Sequence, residues 1–206
     1  MSYLYNLLKQ FLALLLTTTD KYVGNFGVSI IVVTILIKIA LLPLTLKQDK
    51  SMKEMKKIQP ELEKLKEKYA NDKQMLNIKT MELYKEHKVN PLGGCLPLLL
   101  QLPILFALFG VLRSGIIPAD SSFLWLKLPE PDPFFVLPVL NGAVSFLQQK
   151  LMGSADSNPQ MKNMMYIFPI MMIMISYKMP SGLQLYWLTS SILAVVQQYF
   201  IMKKGA

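Results

Sequence analysis

One cysteine and one histidine in 206 residues leave little room for metal or redox chemistry. Cys95 has no second cysteine to pair with and lies in an apolar run, so it does not report the redox compartment. The two residues also fall short of a Cys/His metal site, which takes four ligands in its structural form. No metal and no cofactor is expected. Acidic residues are scarce as well: 13 Asp plus Glu stand against 22 Lys plus Arg, a formal charge of +9. No Asp or Glu falls inside any of the long apolar stretches. Internal repeats are absent, which argues against the paired halves of many transporters.

What remains is apolar. Residues of the AVILMFWYC set make up 52% of the chain, and the mean hydropathy is +0.35. High charge and high apolarity coexist only if they are segregated along the chain, and they are. A bilayer core takes about 20 mostly apolar residues in a helix at about 1.5 Å of rise each. Five stretches answer that description: residues 27–46, 92–112, 134–149, 163–177 and 183–202. The third is short and contains Pro138 and Asn141, and the fifth carries Tyr186-Trp187 near one end, where such rings favour the interface. The expected fold is therefore all-α, a polytopic membrane protein of one compact unit.

Residues 1–23 are read separately. Residues 3–16 are apolar but too short to span. Leu4, Leu7, Leu8, Phe11, Leu14 and Leu15 recur at helical spacing with Asn6, Lys9 and Gln10 opposite. The pattern predicts an amphipathic helix lying in the membrane interface. An export signal is the alternative, but no basic leader or small-residue cleavage site is evident.

Lysine counts set the orientation. Residues 47–88 hold twelve lysines against eight acidic residues, the largest basic block in the chain. With five spans, Lys150, Lys162, Lys203 and Lys204 fall on the same side as that block. The asymmetry predicts an outside N-terminus and a cytoplasmic C-terminus. Within the block Met52, Met55, Ile58, Leu62, Leu65 and Tyr69 recur every three or four residues, an apolar helical seam. Pro60 marks a kink or a restart, and Asn71-Asp72 a turn or cap before a second helical stretch. Residues 47–88 thus read as a cytoplasmic helical hairpin, either a lipid-anchored surface element or a docking element for a negatively charged partner. His87 reads as an ordinary exposed side chain.

Lys38 is the charge in an unexpected place. It lies eleven residues after Gly27 and nine before Lys47, near mid-bilayer on a straight helix. A cation there costs on the order of 2.5–3.5 kcal/mol even on lenient insertion scales. Snorkelling is the plain explanation, although a lysine stem reaches only roughly one helical turn. A water-filled groove is the reading preferred here. Thr34 begins a polar stripe one turn earlier, and Gln101, Gln148, Gln149, Gln184, Gln197, Gln198, Tyr186 and Trp187 are the polar groups available to line it. Seven of the fourteen methionines lie between Met161 and Met179, and such flexible side chains suit an accommodating apolar surface.

Longer motifs are present too. Asn90-Pro91-Leu92-Gly93-Gly94-Cys95, then Pro97 and Gln101-Leu102-Pro103, resembles a motif of the YidC/Oxa/Alb membrane protein insertases. So does Pro180-Ser181-Gly182-Leu183 followed by Leu185-Tyr186-Trp187. Residues 27–45, ending Leu42-Pro43-Leu44-Thr45, resemble the first span of that family's core, and residues 52–68 its cytoplasmic hairpin. The similarity runs from Gly24 to Met202. It implies a five-span core, residues 24–206, in a bacterial plasma membrane. A hydrophilic groove would open to the cytoplasm and to lipid but not to the outside.

In that picture the groove cation attracts the acidic extracellular tail of a substrate, whose apolar part slides into lipid. Lys38 stands where the bacterial family usually has arginine, which bonds bidentately and keeps its proton when poorly hydrated. The resemblance implies Lys38, Gln149 and Trp187 as groove residues, and the polar stripe read above adds Thr34 and Gln101. It implies Leu105, Ile175 and Tyr186 as the substrate-contact surface. Nascent membrane proteins and lipid are the implied partners, with the ribosome and a Sec translocon as further ones, and the working unit is expected to be a monomer. The chain looks like the short form of Gram-positive and related bacteria, although no cysteine near its N-terminus is placed to carry a lipid. No catalytic residue is expected: Ser181-Gly182 invites comparison with intramembrane serine proteases, but the lone histidine lies in the lysine-rich hairpin. A small-solute transporter or channel is the rival function, and it would have to expose Lys38 to both sides in turn.

Overall fold

The computed structural model describes residues 2–87, 89, 96–152 and 159–203. Eight helices and one two-stranded hairpin are found among them: α1 Ser2–Val23, α2 Phe26–Lys57, α3 Gln59–Lys68, α4 Lys73–Glu86, α5 Leu96–Arg113, β1 Ser122–Phe123, β2 Leu126–Lys127, α6 Val136–Met152, α7 Pro159–Ser176 and α8 Ser181–Lys203. Helix α2 packs on α1 and α8, α5 packs on α1 and α8, and α6 lies between α7 and α8. Among the described residues one segment, Phe26–Met55, is by itself long and apolar enough to cross a bilayer. Leu100–Arg113 and Tyr166–Ser176 are apolar but shorter. Pro138, awkward in mid-helix, falls in the first turn of α6, where its missing N–H has no intrahelical partner to lose.

Residues 114–135, between α5 and α6, tie three helix N-termini together at one end of the bundle. Asn25 caps α2 by accepting from the amides of Gly27 at 2.9 Å and Val28 at 3.2 Å, and its Nδ2 donates to the Ser122 carbonyl at 3.1 Å. Gly27 lies against Phe123 with no room for a Cβ. Asp132 caps α6 through the amides of Phe134 at 3.1 Å and Leu137 at 2.7 Å, and also accepts from Trp125 Nε1 at 3.1 Å. The first turn of α8 is held by carbonyls of the same loop: Ser181 N donates to Glu130 at 2.7 Å and Gly182 N to Leu128 at 2.9 Å. One loop thereby sets the register of α2, α6 and α8.

At the other end α2 does not stop where the charges begin. It continues unbroken to Lys57, ten residues beyond the Lys47 boundary drawn from the sequence. Lys, Glu, Gln and Met are good helix formers, and Lys57 pairs with Glu54 at 2.9 Å, one turn back. Interruption comes at Ile58, after which α3 restarts with Pro60 in its first turn. Asp72 then caps α4, accepting from the Met75 amide at 3.0 Å. Helices α3 and α4 fold back on each other, and His87 Nε2 approaches Glu61 Oε2 at 3.4 Å. Ile58, Leu83 and Val89 are the buried apolar residues here among those described, a small core.

Helix α1 differs from its expected packing. Leu4, Leu7, Phe11 and Leu14 are exposed, but Leu12 and Leu16 on the other side are almost fully buried among Ile30, Val33, Leu105 and Leu108. Leu8 and Leu15, from the face that periodicity singled out, pack partly buried against the same cluster, so the bundle takes one edge of that face together with Leu12 and Leu16.

Candidate functional site

On an α-helix, positions seven and eleven residues apart return to nearly the same direction. Helix α2 therefore presents Lys38, Thr45 and Asp49 along one stripe, with Thr34 one turn before Lys38. Lys38 is half-buried on that stripe. Thr34 is only 1% exposed, and its hydroxyl donates to the Ile30 carbonyl of its own helix at 2.5 Å. Such back-bonding leaves the hydroxyl with no donor to spare for a ligand.

Gln101 and Tyr186 meet directly: Gln101 Nε2 donates to the Tyr186 hydroxyl at 2.9 Å, joining α5 to α8. Thr34 and Tyr186 both border an apolar cavity of about 10 Å³, with Leu12, Ile37, Ile104 and Leu108 among its walls. That volume is at the lower limit for a single water. Trp187 is partly buried against the same core. Gln149, on α6, is half-buried and its Nε2 has no partner among the described residues; α6 packs mainly on α7 and α8. Of the three surface residues, Ile175 is open at 46% exposure, whereas Leu105 and Tyr186 belong to the packed core.

A polar cluster beyond Lys38 was missed. Gln197 of α8 donates from Nε2 to Asp49 Oδ2 at 2.7 Å and to Thr45 Oγ1 at 3.0 Å, pinning α8 to α2. Thr45 in turn donates to the Leu42 carbonyl at 3.1 Å. Beside them Gln48 is buried, and neither polar atom of its side chain has a partner among the described residues. Asp49 makes no direct ion pair with Lys38 there, but the two opposite charges attract through space. Gln197 was a candidate lining residue; Asp49 and Thr45 were not. The available signal was their spacing of eleven and seven from Lys38, obscured because Asp49 lies just past the apolar stretch.

The family model for the 60Kd inner membrane protein matches residues 18–206. The chain belongs to this YidC/Oxa/Alb family of membrane protein insertases. It is 87% identical over its whole length to the membrane protein insertase YidC of Fusobacterium nucleatum, and covers all of that protein. It is 44% identical over 194 residues to the membrane protein insertase MisCA of Bacillus subtilis, covering 91% of this chain and 74% of that one. Against YidC of Anaeromyxobacter dehalogenans the identity is 46% over 185 residues, 89% of this chain but 34% of the longer relative. A crystal structure of an active YidC insertase with its first transmembrane domain resolved superposes with a TM-score of 0.77 at 28% identity. It covers 95% of this chain and 46% of that one.

As a member of that family the chain is a membrane protein, and two of its motifs acquire structural reasons. Pro180-Ser181-Gly182 is the joint where the 114–135 loop grips α8. A Cβ on Gly182 would lie 3.0 Å from Leu112 and 3.3 Å from both Ile30 and the Leu128 carbonyl oxygen. Gln101, in the other motif, is the donor to Tyr186. The segment Asn90–Cys95 lies outside the described residues.

Proposed function

We propose that this chain moves short hydrophobic proteins from the cytoplasm into the bilayer along a hydrophilic groove whose organising charge is Lys38. The observation that carries this reading is a half-buried cation within the one helix that, among the described residues, is long and apolar enough to cross a bilayer, at the head of the stripe that continues through Thr45 and Asp49. Lysine in that setting is costly unless it faces water or a partner. A substrate whose translocated tail is acidic supplies the complementary charge during passage. The apolar part of the substrate then leaves over exposed helix surface, for which Ile175 on α7 is open. Gln101, Gln149, Thr34 and Trp187 complete the groove in this reading, and Leu105 and Tyr186 become substrate contacts only if the core helices part.

In the same proposal α2, α5, α6, α7 and α8 are the five spans, with α1 at the outer interface and the N-terminus outside. The loop 114–135 then closes the outer end, and its grip on α2, α6 and α8 supports a closed outer face. The α3–α4 hairpin lies in the cytoplasm, where its basic surface suits ribosomal RNA or anionic lipid, and a Sec translocon is a further partner. The chain acts as a monomer without cofactor or catalytic step.

The test is a protease-protection insertion assay in cells depleted of the native insertase, comparing the parent with Lys38→Glu at matched expression. Lys38→Glu should lose insertion of acidic-tailed substrates and lose much less with neutral-tailed ones. Equal insertion of acidic-tailed substrates by both proteins would overturn the electrostatic reading.

A further inference from the structure

We infer that Asp49 is a built-in counter-charge to Lys38, which competes with the substrate's acidic segment and sets how much negative charge a substrate must carry to engage the groove. The inference rests on the groove reading above and adds a residue that determines specificity. Asp49 stands three turns after Lys38 on the same face of α2. Gln197 Nε2 donates to its carboxylate at 2.7 Å and to Thr45 at 3.0 Å, so Asp49 sits in the seam between α2 and α8. The two charges attract each other through space without touching.

That separation matters. A carboxylate in direct contact would neutralise Lys38 and leave nothing to recruit substrate. One held farther along the stripe lowers the positive potential but leaves the ammonium group open to a better-placed acid. An arriving acidic side chain must out-compete Asp49, and a neutral segment has nothing to offer. Charge selection therefore follows from a difference between two attractions, a repulsive element being built in alongside the attractive one. Removing Asp49 should raise the potential at Lys38 and lower the charge a substrate needs.

The test uses the full chain and one substrate carrying zero, one or two acidic residues in its translocated tail. Asp49→Asn keeps an acceptor for Gln197, so the α2–α8 pin survives while the charge goes. It should raise insertion of the one- and two-acid substrates by about two- to tenfold, the range expected for one partly screened charge, and leave the neutral substrate unchanged. The gain should vanish when Lys38→Ala is added, because the two effects share one site. Gln197→Leu breaks the pin but keeps the charge, and should give no gain. If Asp49→Asn leaves acidic substrates unchanged, or lowers all three equally, the counter-charge is overturned. If Gln197→Leu reproduces the gain, helix pinning explains it and the proposal fails. A Lys38→Glu variant that is impaired while Asp49→Asn is silent overturns the counter-charge alone; a Lys38→Glu variant without effect overturns the groove reading as well.

Discussion

Ser181 donates twice to one acceptor: its backbone amide and its hydroxyl both reach the Glu130 carbonyl oxygen at 2.7 Å. This pair of bonds fixes the start of α8, the helix that carries Gln184, Tyr186, Trp187 and Gln197. Removing the hydroxyl alone should cost on the order of 1 kcal/mol, because the amide bond remains. Gly182→Val should cost more, about 1–3 kcal/mol, since its side chain meets Leu112, Ile30 and the Leu128 carbonyl in a space already filled. Thermal unfolding of the purified protein in nanodiscs checks both. A Gly182→Val protein as stable as the parent would mean that the loop yields, and the clamp description would be wrong.

The Gln101–Tyr186 bond invites a double-mutant cycle. Tyr186 is 3% exposed, so Gln101→Leu leaves a buried hydroxyl without its donor and should cost about 1–3 kcal/mol. Tyr186→Phe removes the acceptor and leaves the Gln101 amide unpaired, at a smaller cost because Gln101 is only half-buried. The double variant should be more stable than the sum of the singles predicts, by about 0.5 kcal/mol or more. Simple additivity would mean that this bond does not couple α5 to α8.

Several features of the sequence translate directly into the fold, and the exceptions have identifiable causes. Pro60 and Asp72 act through local chemistry, a missing donor and a capping carboxylate, so their roles at the starts of α3 and α4 were readable in advance. The inner face of α1 was readable only in part: Leu8 and Leu15 lie on the expected face and pack against the core, whereas Leu12 and Leu16 differ from the exposed Leu4 and Leu14 only in what α2 and α5 bring against them. Helix α2 runs on past the end of the apolar stretch because hydropathy changes at Lys47 while helix propensity does not. Asp49 escaped notice for the related reason that its partner Gln197 lies 148 residues away, and no local pattern announces a contact of that range. Thr34, chosen for its place on the stripe, turns its hydroxyl back to Ile30, a local competition that spacing alone does not reveal.

Topology can be tested by labelling single cysteines from outside in a Cys95→Ser background with an impermeant thiol reagent. Asp120 and Lys178, both exposed, report the loop end, and Glu82 and Lys85, both exposed or partly so, report α4. Labelling at Asp120 and Lys178 but not at Glu82 and Lys85 is expected. Outside labelling at Glu82 would reverse the orientation and move the lysine-rich hairpin out of the cytoplasm.

The α3–α4 hairpin should open more readily than the bundle. Its buried apolar residues are few, and its ion pairs Lys79–Glu82 and His87–Glu61 are solvent-exposed, worth little each. Hydrogen exchange should be faster across residues 59–86 than across α8. Asp72→Ala should accelerate it further in the first turn of α4, since losing an N-cap costs about 0.5–2 kcal/mol. Protection in residues 59–86 equal to that of α8 would count against a mobile docking element.

Lys38→Arg and Lys38→Ala separate charge from fold. Arginine keeps the positive charge and holds its proton when poorly hydrated, so Lys38→Arg should insert acidic-tailed substrates as well as the parent or better. Lys38→Ala should lose that activity and yet stay folded. Deleting a cation from the apolar middle of α2 relieves a desolvation cost of about 2.5–3.5 kcal/mol on insertion scales. Against that relief stands, among the described residues, the through-space attraction of Asp49, whose carboxylate keeps its Gln197 donor after the change. Unfolding in nanodiscs should therefore place Lys38→Ala at or above the parent's stability. A drop of about 3 kcal/mol or more is the size expected when one partner of a buried ion pair is removed. Such a drop would mean that Lys38 is structurally committed to a direct partner, and a cation so committed would not be free to recruit a substrate.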